Sequence, residues 1–234
     1  MANDVTIQLF NNTGDPQTFV VFNQDPDLKQ IFQTVFPTAW RIFNVGATGG
    51  RASVILPIQY QIGAGDLKDA FTGSVSNVQN TEAGDRWKFT TNTSGSFELL
   101  PEGEQSDNSI ACVNETGQFV TMSMVKSNRP LLTYPEIGDG AVATFQPINY
   151  IYLAWYNNIV EGNEIAAAIS QPQAIGVNLD GANTIEGTLS KNNNTGRLSW
   201  EIKVNGRVVD PVAEAVDNKP ALSVTESFMK LVAC

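Results

Sequence analysis

One short pattern, Asn-x-Thr/Ser-Gly, punctuates this chain four times: NNTG at 11–14, NTSG at 92–95, NETG at 114–117 and NNTG at 193–196. Each copy is a polar island between two apolar, β-prone runs: VTIQLF and QTFVVF, RWKFTT and SFELL, SIACV and QFVTMSM, TIEGTLS and RLSWEIKV. Asn suits the first position of a type I turn, because its side chain bonds the backbone two residues on. Gly at the fourth position accepts the positive φ that closes a hairpin through a bulge. The islands therefore read as reversals of an extended chain. They also fit the N-glycosylation acceptor pattern, but with no export signal the turn reading comes first. The flanking runs share nothing beyond alternation, which gives no support to an internal duplication.

The runs between islands keep a period of two. Val54, Leu56, Ile58, Tyr60 and Ile62 alternate with Ile55, Pro57, Gln59 and Gln61; Leu198, Trp200, Ile202 and Val204 alternate with Ser199, Glu201 and Lys203. Such runs belong in antiparallel sheets with one buried and one wet face. Asn205-Gly206 adds a two-residue hairpin, and GATGG at 46–50 another turn. The spacing predicts an all-β fold: an antiparallel, jelly-roll-like β-sandwich of about ten to twelve strands. One helix is expected near residues 26–36, where Leu28, Ile31, Phe32, Val35 and Phe36 form an apolar stripe between the N-cap Asp25 and the stop Pro37. EIAAAI at 164–169 and TESFMKLV at 225–232 fit a short helix or a strand. No linker divides the 234 residues, so a single domain over 1–234 is expected.

Composition narrows the chemistry. The chain has no histidine, which removes Ser-His-Asp and Cys-His nucleophiles and imidazole metal sites. Phosphate-binding Gly loops are absent. SFMK at 227–230 and SDN at 106–108 match fragments of the penicillin-recognising enzymes, but in the wrong order and without KTG. A net charge of −10 with scattered basic residues argues against nucleic acid and anionic membranes as partners. Two cysteines, Cys112 and Cys234, make no disulfide framework. They read as free thiols in a reducing compartment, with a single bridge as the alternative. With neither a signal sequence nor an apolar span, a cytoplasmic location is expected.

Two places are the main candidates to hold a ligand, with NLDGAN at 178–183 a weaker calcium candidate. PEGEQSDN at 101–108 gathers Glu102, Glu104, Asp107 and Asn108, hard oxygen ligands suited to calcium, although a solvated loop explains them as well. INYIYLAWYNN at 148–158 is apolar on both faces, with Tyr150, Tyr152 and Tyr156 on one and Ile151, Leu153 and Trp155 on the other. A core strand is the plain reading. A ligand-lining or dimer face built on Tyr150, Tyr152, Trp155 and Tyr156 is the functional one.

The Asn/Gly-turned, motif-poor pattern is similar in general look to lectin-like β-sandwich proteins, an analogy of architecture that assigns no function. The leading expectation is a non-catalytic binding protein for a glycan or neutral small molecule, with calcium as the one candidate cofactor. The alternatives are a cofactor-independent cyclase or isomerase, its apolar cavity lined by the 150–156 strand, and a structural or self-assembling protein. A homodimer is the candidate assembly.

Overall fold

The structure is a computed structural model describing residues 4–23, 36–47, 49–66, 77–147, 149–156, 159–162, 165 and 174–210. Among these residues the chain is all-β, with eighteen strands and no helix. The first nine are β1 (Val5–Asn12), β2 (Gln17–Phe22), β3 (Phe36–Pro37), β4 (Ala39–Val45), β5 (Gly50–Leu56), β6 (Tyr60–Asp66), β7 (Gln79–Thr81), β8 (Asp85–Thr91) and β9 (Phe97–Glu104). The rest are β10 (Ile110–Glu115), β11 (Val120–Lys126), β12 (Arg129–Ile137), β13 (Val142–Phe145), β14 (Tyr150–Trp155), β15 (Ile175–Asn178), β16 (Thr184–Lys191), β17 (Leu198–Val204) and β18 (Arg207–Val209). The expected helix lies on residues outside those described, apart from Phe36, which belongs to β3. The 225–232 segment is likewise outside, as is all of 164–169 but Ile165. The strand number exceeds the expected ten to twelve because β3, β7, β13, β15 and β18 have two to four residues, too few to show a period.

Four sheets result, in the orders β18-β17-β16-β1-β5, β15-β14-β2-β4, β13-β10-β8-β9 and β3-β12-β11-β6-β7. Neighbours are antiparallel except β1 beside β16 and β8 beside β10, which run parallel. One plan is used twice. In the block β1, β2, β4, β5, the first strand pairs with the last and the second with the third. The block β10, β11, β12, β13 does the same. A second kind of block, β14 to β17, adds β14 to β2 and lays β16 parallel to β1. Its counterpart, β6 to β9, adds β6 to β11 and lays β8 parallel to β10. The order along the chain is thus interleaved: the outer quarters complete each other, and so do the inner two. The sequence conceals this repetition because the equivalent strands keep only their alternation and one turn.

That turn is where the four islands divide into two kinds. Asn11 and Asn114 are fully buried. In each, Oδ1 accepts the backbone N–H and hydroxyl of the Thr two residues on, Thr13 or Thr116. Each Nδ2 donates to the carbonyl four residues on, Asp15 or Gln118, and then across to a remote strand end: to Val45 and Gly46, or to Ile137. Each main-chain carbonyl accepts a glycine N–H, from Gly49 or Gly140. An amide so engaged is closed to glycosylation in the folded chain. Asn92 instead makes a local turn, its Oδ1 holding the N–H of Ser94 and Ser96. In the last copy the turn is held by Asn192, one residue before the pattern begins, which accepts from Asn194 and Thr195. All four island glycines have positive φ, from 69° at Gly196 to 89° at Gly14, as the turn reading requires.

Paired sheets meet through aromatic contacts. Phe19 of β2 lies 5.2 Å from Trp200 of β17, and Tyr134 of β12 meets Phe145 of β13 edge-on at 5.2 Å. One large buried cluster draws on all four sheets. The run 53–62, read from its period as one strand, is two strands in different sheets. It breaks at Pro57, which has no N–H for a ladder, and leaves Ile55 and Ile58 at 59% and 45% exposed.

Near this break, Lys126 is buried, with Nζ donating to the carbonyls of Pro57 and Ile58 and lying 3.9 Å from the Tyr60 ring centroid. Burial lowers its pKa from 10.5 to about 8, against the pull of Asp4. The unfolded chain therefore holds more protons than the folded one between these values, and stability from this group rises as pH climbs through that window. Cys112 acts oppositely: burial lifts its thiol from 9.0 to about 12, so above 9 ionisation favours the unfolded chain. The Lys126 effect is isolated as the difference in urea unfolding free energy between wild type and Lys126→Met. That difference should move in favour of wild type between pH 8 and 10.5.

Candidate functional site

The strand β14 divides its side chains as its sequence predicts. Ile151 and Leu153 enter the large core, and Trp155 packs against it, 5.9 Å from Trp200. On the opposite face lies a second, separate apolar cluster: Val20 and Phe22 of β2, Ala39 of β4, Tyr152 and Ala154 of β14, and Ile165. Tyr150, Tyr156 and Ile159 pack at its margin, and Tyr152 stacks on Phe22 at 5.4 Å. Three of the four sequence candidates, Tyr150, Tyr152 and Tyr156, thus share one surface, and Trp155 belongs to the other face.

Two polar atoms near β14 are buried without a hydrogen-bond partner: the Tyr156 hydroxyl, at the margin of this cluster, and Asn23 Oδ1. Asn23, just past the end of β2, is 5% exposed, and its Nδ2 donates to the Tyr150 carbonyl. The Tyr156 N–H donates to the Thr18 carbonyl, which fixes the residue against β2. Burial pushes the Tyr156 phenol up to about 12, so it stays a neutral donor at ordinary pH. The face therefore offers one hydroxyl donor beside a large apolar area.

Residues 159–162 and Ile165 flank this face along the free edge of β4. Gly162 N–H donates to the Ala39 carbonyl of β4 and Ile165 N–H to the Pro37 carbonyl of β3. Glu161 receives the Ile42 N–H on Oε2, and Arg41 (3.3 Å) and Arg129 on Oε1. Arg41 sits over the Trp40 ring, 5.1 Å from its centroid, and Trp40 Nε1 donates to the Lys126 carbonyl. Burial lowers the pKa of both arginines, and for Arg129 the charge of Arg41 adds to it. Arg41, Arg129 and Glu161 are too far apart in the chain for any local pattern to have joined them.

The acidic loop is arranged differently from a metal cage. Glu102, on β9, pairs with Arg86 at 2.6 Å. Glu104 ends the same strand, opposite Asp85 in register. Asp107 accepts the N–H and hydroxyl of Ser109, which hold its carboxyl below the usual range, and Asn108 is exposed. Among the described residues, no group of three or more His, Cys, Asp or Glu side chains is placed to hold a metal ion. Cys112 is free and buried, and Cys234 and the SFMK stretch lie outside the described residues. No helix among the described residues is long and apolar enough to cross a membrane. No protein-family model matches the chain, and no curated protein matches it either.

Proposed function

We propose that this is a non-catalytic binding protein, each pair of sheets forming a β-sandwich, and that the tyrosine face of β14 receives a neutral small molecule. The observation that carries this reading is the second apolar cluster with the unpartnered Tyr156 hydroxyl at its margin. A buried polar group without a partner is costly, and a ligand that supplies one to the Tyr156 hydroxyl recovers that cost on binding. A neutral ligand with an acceptor on an apolar frame fits. Glu161, on the flanking segment, is already engaged by two arginines and a backbone N–H, which favours binding over acid–base chemistry there.

Nile red, a neutral apolar dye, serves as the probe, with neutral alcohols and oligosaccharides as competitors. Tyr152→Ala should abolish dye binding. Tyr156→Phe should weaken a hydroxyl-bearing competitor about tenfold, the worth of one hydrogen bond, while leaving the unliganded protein as stable or more so. A dye that ignores both substitutions, or a Tyr156→Phe chain less stable than wild type, would overturn the assignment.

A further inference from the structure

The cradle around Glu161 is itself a binding arrangement. Arg41, Arg129 and the Ile42 N–H converge on one carboxylate from two strands: Arg41 and Ile42 on β4, Arg129 at the start of β12. Two guanidinium charges face a single negative charge, leaving a surplus of one positive charge in a chain whose net charge is −10. Arg41 Nε has no acceptor at all. The arginine side chains are 21% and 43% exposed, so the cradle is open to solvent on one side. The Trp40 ring beneath Arg41 holds that guanidinium in place.

We propose that this cradle is an oxyanion site, that Glu161 is its resident occupant, and that a doubly charged oxyanion of the phosphate class competes for it. A dianion balances both guanidiniums where one carboxylate cannot, and its additional oxygen offers Arg41 Nε the acceptor it lacks. Glu161 is tethered to the site, so its effective concentration is in the range of millimolar or above and it weakens any external anion accordingly.

The test titrates inorganic phosphate into the full chain and follows ³¹P line broadening, with acetate as the singly charged control and circular dichroism to confirm folding. Glu161→Gln should bind phosphate at least tenfold more tightly than wild type and prefer it to acetate. Adding Arg129→Met to that variant should remove the gain. Should Glu161→Gln fail to fold, Glu161→Asp, which withdraws the carboxylate by one methylene, should still tighten phosphate binding severalfold. Equal phosphate affinity in wild type and the folded Glu161 variant, or a gain that survives loss of Arg129, would overturn the proposal.

Discussion

Asn114→Ala should lower the unfolding free energy by about 3–4 kcal/mol, whereas Asn92→Ala should cost no more than about 1 kcal/mol, although both residues open the same pattern. The difference lies in what each amide reaches. Asn92 ties its own loop, half-exposed, where water can replace the lost bonds. Asn114 is fully buried and joins its turn to the end of β12, and its removal leaves the Ile137 carbonyl and the Thr116 N–H with lost partners. Asn114→Asp should be nearly as harmful as alanine, because a carboxylate turns oxygen towards two carbonyls that need a donor. Urea unfolding of the three variants tests the ranking. Asn11→Ala should behave like Asn114→Ala, since its bonds are equivalent.

Gly187→Val should be the second severe change, at about 3 kcal/mol, equivalent to a fall in Tm of roughly 6–12 °C for a chain of this size. Gly187 lies mid-strand in β16 with ordinary backbone angles, so its reason is space. A Cβ there would stand 3.1 Å from Leu153 Cδ1, 3.2 Å from Leu9 Cδ2 and 3.2 Å from the Trp200 ring. Gly187→Ala must push these three neighbours by a few tenths of an ångström, and valine adds two methyl groups to the same gap. Gly46→Ala is the control: a Cβ there meets nothing within 4 Å, and its effect should stay within about 0.5 kcal/mol. Thermal unfolding followed by tryptophan fluorescence reads both, and an unchanged Tm for Gly187→Val would mean that β16 and β14 do not approach as closely as described.

What could be read from the sequence was local. The islands, the Asn205-Gly206 hairpin (φ 51° and 76°) and the two faces of β14 all follow from neighbours within a few residues. Sheet membership did not, because hydrophobic period says which way a side chain points and nothing about which strand lies alongside. The run 53–62 shows this most plainly: its alternation is unbroken, yet one proline sends its halves to different sheets. Three of the tyrosine-strand candidates meet because they lie on one short strand, where parity decides the face. The Arg41–Glu161–Arg129 cradle, assembled from strand ends and a connecting segment, left no such trace.

The interleaved order of the blocks has a consequence for synthesis. As the chain leaves the ribosome, β1 and β2 emerge before β6 to β13, and their outer neighbours β16 and β14 only after them. The inner quarters, β6 to β13, are consecutive and can pair as soon as they appear. The middle of the molecule can therefore organise early, while the first quarter waits with half of its pairing groups unused. Closing a loop of that length is slow, and the waiting strands are open to wrong partners meanwhile. Folding should thus proceed from the inner blocks outwards, with docking of β14 and β16 on β2 and β1 as its last and slowest event.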